Sequence, residues 1–261
     1  MKDLIPIALY QQLLKKRAFV FKIAAPFLSI SSEFYRGNKV FCPCCEGNFR
    51  SFLPFGANHR PNALCPGCLS LERHRLLWLY LKNKTNLFKE NLVVLHVAPE
   101  YILQRKLISL PNLNYLTADI VPGEAMLQMD ITNIQYHDNY FDVILCNHVL
   151  EHIPNDDRAM KELYRVLKPG GWAILQVPVD PKLAKTIEGS PTLTLKEREK
   201  LFGHHDHVRQ YGLDYQLKLA QAGFIVKVDN YSQELGAEAI KNFGLTPDES
   251  IFLCLKPQSL D

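Results

Sequence analysis

Residues 141–179 read FDVILCNHVLEHIPNDDRAMKELYRVLKPGGWAILQVPV. The stretch opens on an apolar, strand-forming run within YFDVILCNHVLEHI (140–153). A helix follows in DDRAMKELYRVL (156–167), where apolar positions recur at helical spacing. KPGGWAILQVPV (168–179) then turns sharply and returns to an apolar strand. Strand, helix and strand in that order predict a parallel pair joined by a crossover helix.

The same alternation extends upstream. VVLHVA (93–98) is a short β-branched run, with a helical stretch near 101–110 after it. NYLTADI (114–120) ends in Asp119 with Ile120 behind it, and MLQMDI (126–131) ends in Asp130 and Ile131. Downstream, GFIVKVDNY (223–231) and SIFLCLKP (250–257) lie closer together, as an antiparallel edge pair would. The pattern predicts an α/β fold with a mostly parallel sheet covered on both faces. Ligands of such sheets bind beyond the carboxyl ends of the strands. The residues to read are therefore Ala98–Glu100, Asp119, Asp130, Asn147–His152 and Pro178–Asp180. Asp119 lies 19 residues beyond Glu100. That is near the spacing at which an acid accepts ribose hydroxyls of a nucleoside cofactor, although spacing alone does not separate it from a turn residue.

FDVILCNHVLEHIPNDDRAMKELYRVLKPGGWAILQVPV resembles the second half of a class I S-adenosylmethionine-dependent methyltransferase. The FD that opens the strand, the LEHI after it and the LKPGG before the next strand carry the resemblance, which covers roughly residues 92–257. It implies a Rossmann-like, seven-stranded sheet with an antiparallel edge strand. LHVAPE, FGHHDHVRQYG and the cysteine segment below are similar to a bacterial subgroup of that family. The chain departs from the family at its first turn, where Leu95-His96-Val97-Ala98-Pro99-Glu100 holds no glycine. Glycine there lets the backbone approach the methionine end of the cofactor.

The resemblance implies roles residue by residue. His96, Ala98, Pro99 and Glu100 form the altered first turn. Glu100, rather than His96, takes the acidic task of meeting the cofactor's amino group. Asp119 and Ile120 hold the ribose and flank the adenine, and Asp130 with Ile131 lies at the adenine edge. Asn147 and His148 lie beneath the transferred methyl. Glu151 and His152 form a pair that in this family often caps the following helix.

Five of the seven cysteines fall in FCPCCEGNFRSFLPFGANHRPNALCPGC (41–68). Cys42 with Cys45 and Cys65 with Cys68 form two C-x2-C knuckles separated by 19 residues. Two converging knuckles give the four-thiolate tetrahedron that zinc prefers, closed to further ligands and therefore structural. Cys44 is an alternative to Cys42 or Cys45. Nothing in the chain points to export, so a disulfide framework is disfavoured. SLERHRLLWLYL (70–81) after the second knuckle predicts a helix capped by Ser70, with Arg73 or Arg75 offered to an anionic substrate or to solvent.

The 261 residues have ordinary globular composition: 47% hydrophobic and 22% charged, with net charge +3. That excludes low-complexity and collagen-like classes and is too weakly basic to imply nucleic acid. Much of the excess sits in residues 1–32, where Lys2, Lys15, Lys16, Arg17 and Lys22 face Asp3 alone. This leader reads as a packed helix or as a basic amphipathic anchor for peripheral membrane contact. No signal peptide is evident, and a cytoplasmic location is expected. The expected organisation is a leader (1–36), a zinc module with its linking helix (37–82) and a methyltransferase domain (88–258).

Within that domain, residues 180–212 form an insert too long for a simple connection, which marks a lid or substrate element. His205 and His207 are its candidate general bases, with His148 as rival across the pocket. Asp206 orients an imidazole, and Arg209 clamps a phosphate or carboxylate. Thr186-Ile187-Glu188 is a further segment that could face substrate. Neighbouring residues of a helix or strand cannot all point one way, which argues against a metal held by His204, His205, Asp206 and His207. The expected function is methyl transfer to a hydroxyl or amine of a small molecule or glycan. The rivals are an RNA methyltransferase with a zinc module and a non-catalytic cofactor-binding protein. The sparse basic residues of 41–68 argue against the RNA reading.

Overall fold

The computed structural model describes residues 32–56 and 59–258. The basic leader expected over residues 1–36 lies almost wholly outside the described residues.

The chain begins with two antiparallel ribbons. β1 (Arg36–Cys42) pairs with β2 (Gly47–Phe49), and β3 (Leu53–Phe55) pairs with β4 (Arg60–Leu64). α1 (Glu72–Lys84) follows. The alternating part runs β5 (Leu92–Val97), α2 (Tyr101–Leu107), β6 (Leu113–Asp119), β7 (Leu127–Gln128) and β8 (Phe141–Asn147). A 3-10 turn (Leu150–His152), α3 (Asp156–Val166) and β9 (Leu167–Gln176) come next. The insert holds β10 (Ile187–Glu188), α4 (Leu195–Phe202) and β11 (Arg209–Gln210). The chain closes with α5 (Tyr215–Gln221), β12 (Ile225–Asp229), α6 (Tyr231–Phe243) and β13 (Ile251–Leu255).

Seven strands form one sheet in the order β12-β13-β9-β8-β5-β6-β7. β5 pairs in parallel with β6 and β8, and β8 with β9. β13 runs antiparallel to both β9 and β12. The mostly parallel, seven-stranded α/β architecture expected from the sequence is therefore present. The link between the last two strands differs from expectation, because it holds α6, which is broken at Gly236 (φ +83°).

The central strands are apolar throughout because both faces of the sheet are covered. Alternation along each strand sorts their side chains into two cores. Val94, Val143, Leu145, Trp172 and Ile174 face one side, where they pack with Leu76, Leu77, Tyr80 and Leu81 of α1 and with Phe49 and Phe52. Leu95, Val97, Ile144, Cys146, Ala173 and Leu175 face the other, against Ala159, Met160, Leu163 and Val166 of α3. The cysteine segment thus shares a core with the sheet.

α3 begins at Asn155, whose side chain accepts from the Arg158 amide at 3.0 Å. Asp156 and Asp157 occupy its first turn and Arg165 its last, each sign matched to the helix dipole. The LKPGG turn needs both glycines: Gly170 has φ +77°, and a Cβ on Gly171 would meet the Asp142 carbonyl at 2.8 Å. α1 starts differently from the sequence expectation. Its cap is Leu71, whose amide donates to Nδ1 of His74 at 3.2 Å. Ser70 instead lies at the thiols, its Oγ 3.2 Å from Cys42 Sγ and 3.3 Å from Cys68 Sγ.

Candidate active site

A cavity of about 580 Å³ opens at the carboxyl ends of β5, β6 and β8. Ala98, Pro99, Glu100, Asp119, Asn147 and His148 line it. Ala98 adopts φ +45°, the left-handed conformation that a glycine would supply at low cost. The first turn therefore keeps the backbone shape of a glycine turn without a glycine. His148, at φ +55°, is a second strained residue beside the cavity.

The electrostatics of this lining follow from hydrogen bonds. His96 is fully buried and does not line the cavity; its Nε2 meets Glu100 Oε2 at 2.8 Å and its Nδ1 meets the Tyr115 hydroxyl at 2.7 Å. Both ring nitrogens are thus partnered, one by the Glu100 carboxylate and the other by the Tyr115 hydroxyl. Burial pushes the Glu100 carboxyl up, but the bond from His96 outweighs it, and the pKa falls to about 2. Asp119 accepts from the Val121 amide at 2.8 Å, and burial holds its pKa above the ordinary value. Asn147 is buried at 6% exposure, and neither its amide nitrogen nor its oxygen has a hydrogen-bond partner. An orphaned amide in a cavity lining is a costly arrangement that a polar ligand relieves. The chemistry of this donor and acceptor set fits the nucleoside cofactor that the sequence resemblance implies.

Other expected cofactor residues fall elsewhere. Ile120 is 58% exposed and Ile131 is in the core, and neither lines the cavity. Asp130 is exposed, its Oδ1 closing a turn onto Thr132.

The insert is only partly as expected. His207 lines the cavity with an unpartnered Nδ1, and burial followed by its neighbour His152 lowers its pKa, so the ring is neutral near pH 7. His205 is exposed and stacks on His204 outside the cavity, which removes it as the first candidate base. His204 and Asp206 take its place on the wall. Asp206 pairs with His204 and lies 3.4 Å from His152 Nδ1. His204, Asp206 and His207 do converge, because the segment is a turn rather than a helix or strand.

Arg209 is corrected outright. It is 2% exposed, with Nε on Glu188 at 3.0 Å and its terminal nitrogens on the carbonyls of Leu150, Ile153 and Pro154. It locks the insert to the 3-10 turn and clamps no ligand; Glu188 is spent on the same contact. Arg75 is likewise a staple, bonded to the carbonyls of Ala63, Ser70, Phe243 and Gly244.

A second cavity of about 710 Å³ adjoins the first at the same edge of the sheet. Arg73, His148 and Pro178 line both. Its floor is apolar (Val177, Val179, Leu213, Val228 and Phe252), and Glu249 stands in its wall. Burial raises the Glu249 pKa, with His148 and Arg73 pulling the other way. His148 Nδ1 lies 3.4 Å from Oε1 of the buried Glu151. The sequence reading missed His74, Glu124 and Glu249, which carry no motif; burial of Glu249 beside the sheet edge is a tertiary property.

The four cysteines of the two knuckles lie together, with all four Sγ atoms within 4.8 Å of one another. Cys42 and Cys68 are 3.6 Å apart and Cys45 and Cys65 3.7 Å. A tetrahedral zinc site with Zn–S bonds of about 2.3 Å has sulfur–sulfur edges of about 3.8 Å, so the cluster fits that ion. Cys44 stands apart, its thiol donating to the carbonyl of His74 at 3.7 Å.

Residues 85–175 match the family described as "Methyltransferase domain". Over 131 residues the chain is 28% identical to the ubiquinone/menaquinone biosynthesis C-methyltransferase UbiE of Vibrio campbellii, covering 49% of each chain. Over 87 residues it is 34% identical to the enzyme of the same name from Hydrogenovibrio crunogenus, covering 31% of this chain and 34% of the relative. The chain therefore spans half or less of the curated relatives it matches. The solved structure of the [4+2]-cyclase SpnF superposes with a TM-score of 0.51 at 14% identity, over 92% of this chain and 95% of that one; this shows the fold alone. Residues 85–175 thus match a methyltransferase domain, and they lie within a mostly parallel seven-stranded sheet of the Rossmann-like methyltransferase fold.

Proposed function

We propose that the protein transfers a methyl group from S-adenosylmethionine to a small acceptor with an apolar body, seated in the second cavity. The observation that carries this reading is the junction of two cavities at His148, with an orphaned Asn147 amide on the cofactor side and an apolar floor on the other. The names of the relatives, which speak of quinone biosynthesis, support an acceptor of the quinol or phenol kind. The names of the relatives give a glycan no such support.

When bound, S-adenosylmethionine supplies a methyl group activated by its sulfonium for direct displacement. The chain supplies position and proton transfer. Asp119 accepts the ribose hydroxyls, Glu100 meets the amino group, and Asn147 bonds the cofactor's polar edge. His148, held by Glu151, takes the proton from the acceptor's nucleophilic oxygen or ring carbon as the methyl arrives. His207 is the second candidate, across the first cavity. Most of the acceleration in such a displacement is alignment of nucleophile, methyl and leaving sulfur.

The sulfur spacing supports a structural zinc at Cys42, Cys45, Cys65 and Cys68. Among the described residues no helix is long and apolar enough to cross a membrane. The test of the functional reading is a turnover panel of quinols, phenols, amines and oligosaccharides with S-adenosylmethionine. Turnover of quinols or phenols supports it; turnover confined to oligosaccharides or amines overturns the acceptor assignment.

A further inference from the structure

The first turn of α1, which belongs to the cysteine module, forms part of the first cavity. Arg73 and His74 both line it, together with Ala98, Pro99 and Glu100. Two donors there have no partner: Nε of Arg73 and Nε2 of His74 are buried and unbonded. The tautomer of His74 is set by its surroundings. Nδ1 accepts the Leu71 amide hydrogen, so a neutral ring carries its proton on Nε2 and can only donate there. Burial holds that ring neutral, with a pKa of about 4.

The same cavity already holds a carboxylate, Glu100, fixed by His96. A carboxylate and two unsatisfied donors in one cavity complement an α-amino acid zwitterion, its ammonium toward Glu100 and its carboxylate toward Arg73 and His74. We propose that Arg73 and His74 form a carboxylate subsite that, with Glu100, reads the amino-acid end of the cofactor, so that the cysteine module completes the cofactor cavity. The inference rests on the cofactor reading above and extends it to residues outside the matched domain. The module is also joined mechanically to this subsite, because the thiol of Cys44 donates to the carbonyl of His74. Ser70, four residues before His74, touches the thiols of Cys42 and Cys68.

The test compares two nucleosides that differ in this group. S-adenosylhomocysteine carries the zwitterion, and 5′-methylthioadenosine lacks it. Calorimetric titration of the metal-loaded full chain should show the wild type preferring S-adenosylhomocysteine by about tenfold or more. His74→Leu should remove most of that preference while leaving methylthioadenosine affinity within about twofold. Arg73→Leu, which alters a side chain at the cavity wall, gives the same readout if His74→Leu does not fold. Unchanged preference in the folded variants, or equal loss of both nucleosides, overturns the subsite. A wild type that binds both nucleosides with equal affinity also overturns it, while leaving the cofactor reading intact. A wild type that binds neither overturns the cofactor reading and the subsite together.

Discussion

Nε2 of His96 lies 2.8 Å from Oε2 of Glu100, so a buried ring on β5 holds the carboxylate of the turn that follows. His96 provides the fixed, buried post, and Glu100 provides the charge at the cavity wall.

This pair predicts a specific acid response. Glu100 has a folded pKa near 2, below the ordinary value of 4.5. Below that ordinary value the unfolded chain takes up a proton that the folded chain refuses. The pair's contribution to stability is therefore complete above about pH 4.5 and is lost as pH falls toward 2. Melting temperature followed from pH 6 to pH 2 should fall less steeply over that window in Glu100→Gln than in the wild type. Identical slopes would contradict the assignment.

Arg75 predicts a large structural cost. Its guanidinium satisfies carbonyls of the cysteine module and of the α6 terminus at once. Arg75→Leu leaves buried carbonyls without donors and should destabilise the chain by about 3 kcal/mol or more in denaturant unfolding. A loss within about 0.5 kcal/mol, the usual scale for a surface change, would show that the staple is dispensable.

The zinc assignment predicts one metal equivalent, released in Cys65→Ser with loss of the module's stability. Cys44→Ser should retain the metal, since its thiol lies outside the cluster. Metal analysis of the three proteins checks both statements. Retention by Cys65→Ser would move the ligand set elsewhere.

Among the histidines, His148→Ala should lower kcat by about 10²- to 10⁴-fold, the range of general-base contributions. His205→Ala should remain close to wild type, because its ring stands outside the cavity. The pair is read from initial rates at saturating cofactor, and the reverse ranking would return the base to the insert's exposed face.

The parts of the fold legible in the sequence are those where local pattern and tertiary environment agree. Central strands such as Phe141–Asn147 are apolar on both faces, and the two knuckles announce their own geometry through spacing. The helix Tyr231–Phe243 was not legible, because Gly236 interrupts its period and it buries only Tyr231 and Ser232 outright. The cavity lining was legible where a residue ends a strand or directly follows one, as with Asp119, Asn147 and Ala98. It was misread where charge alone guided the reading. Arg209 and Glu188 look like ligand-binding groups in sequence, yet each finds its partner within the chain. His74 shows the opposite case: one ring nitrogen caps its own helix, and only the fold reveals that the other faces a cavity.

The most direct test of the central claim is transfer of labelled methyl from S-adenosylmethionine into a fractionated cell extract, run with wild type and His148→Ala. The account predicts label in the low-mass, organic-extractable fraction, resistant to nuclease and glycosidase and strongly reduced in the variant. Label confined to RNA, or no label in any fraction from a chain that binds the cofactor, would contradict it.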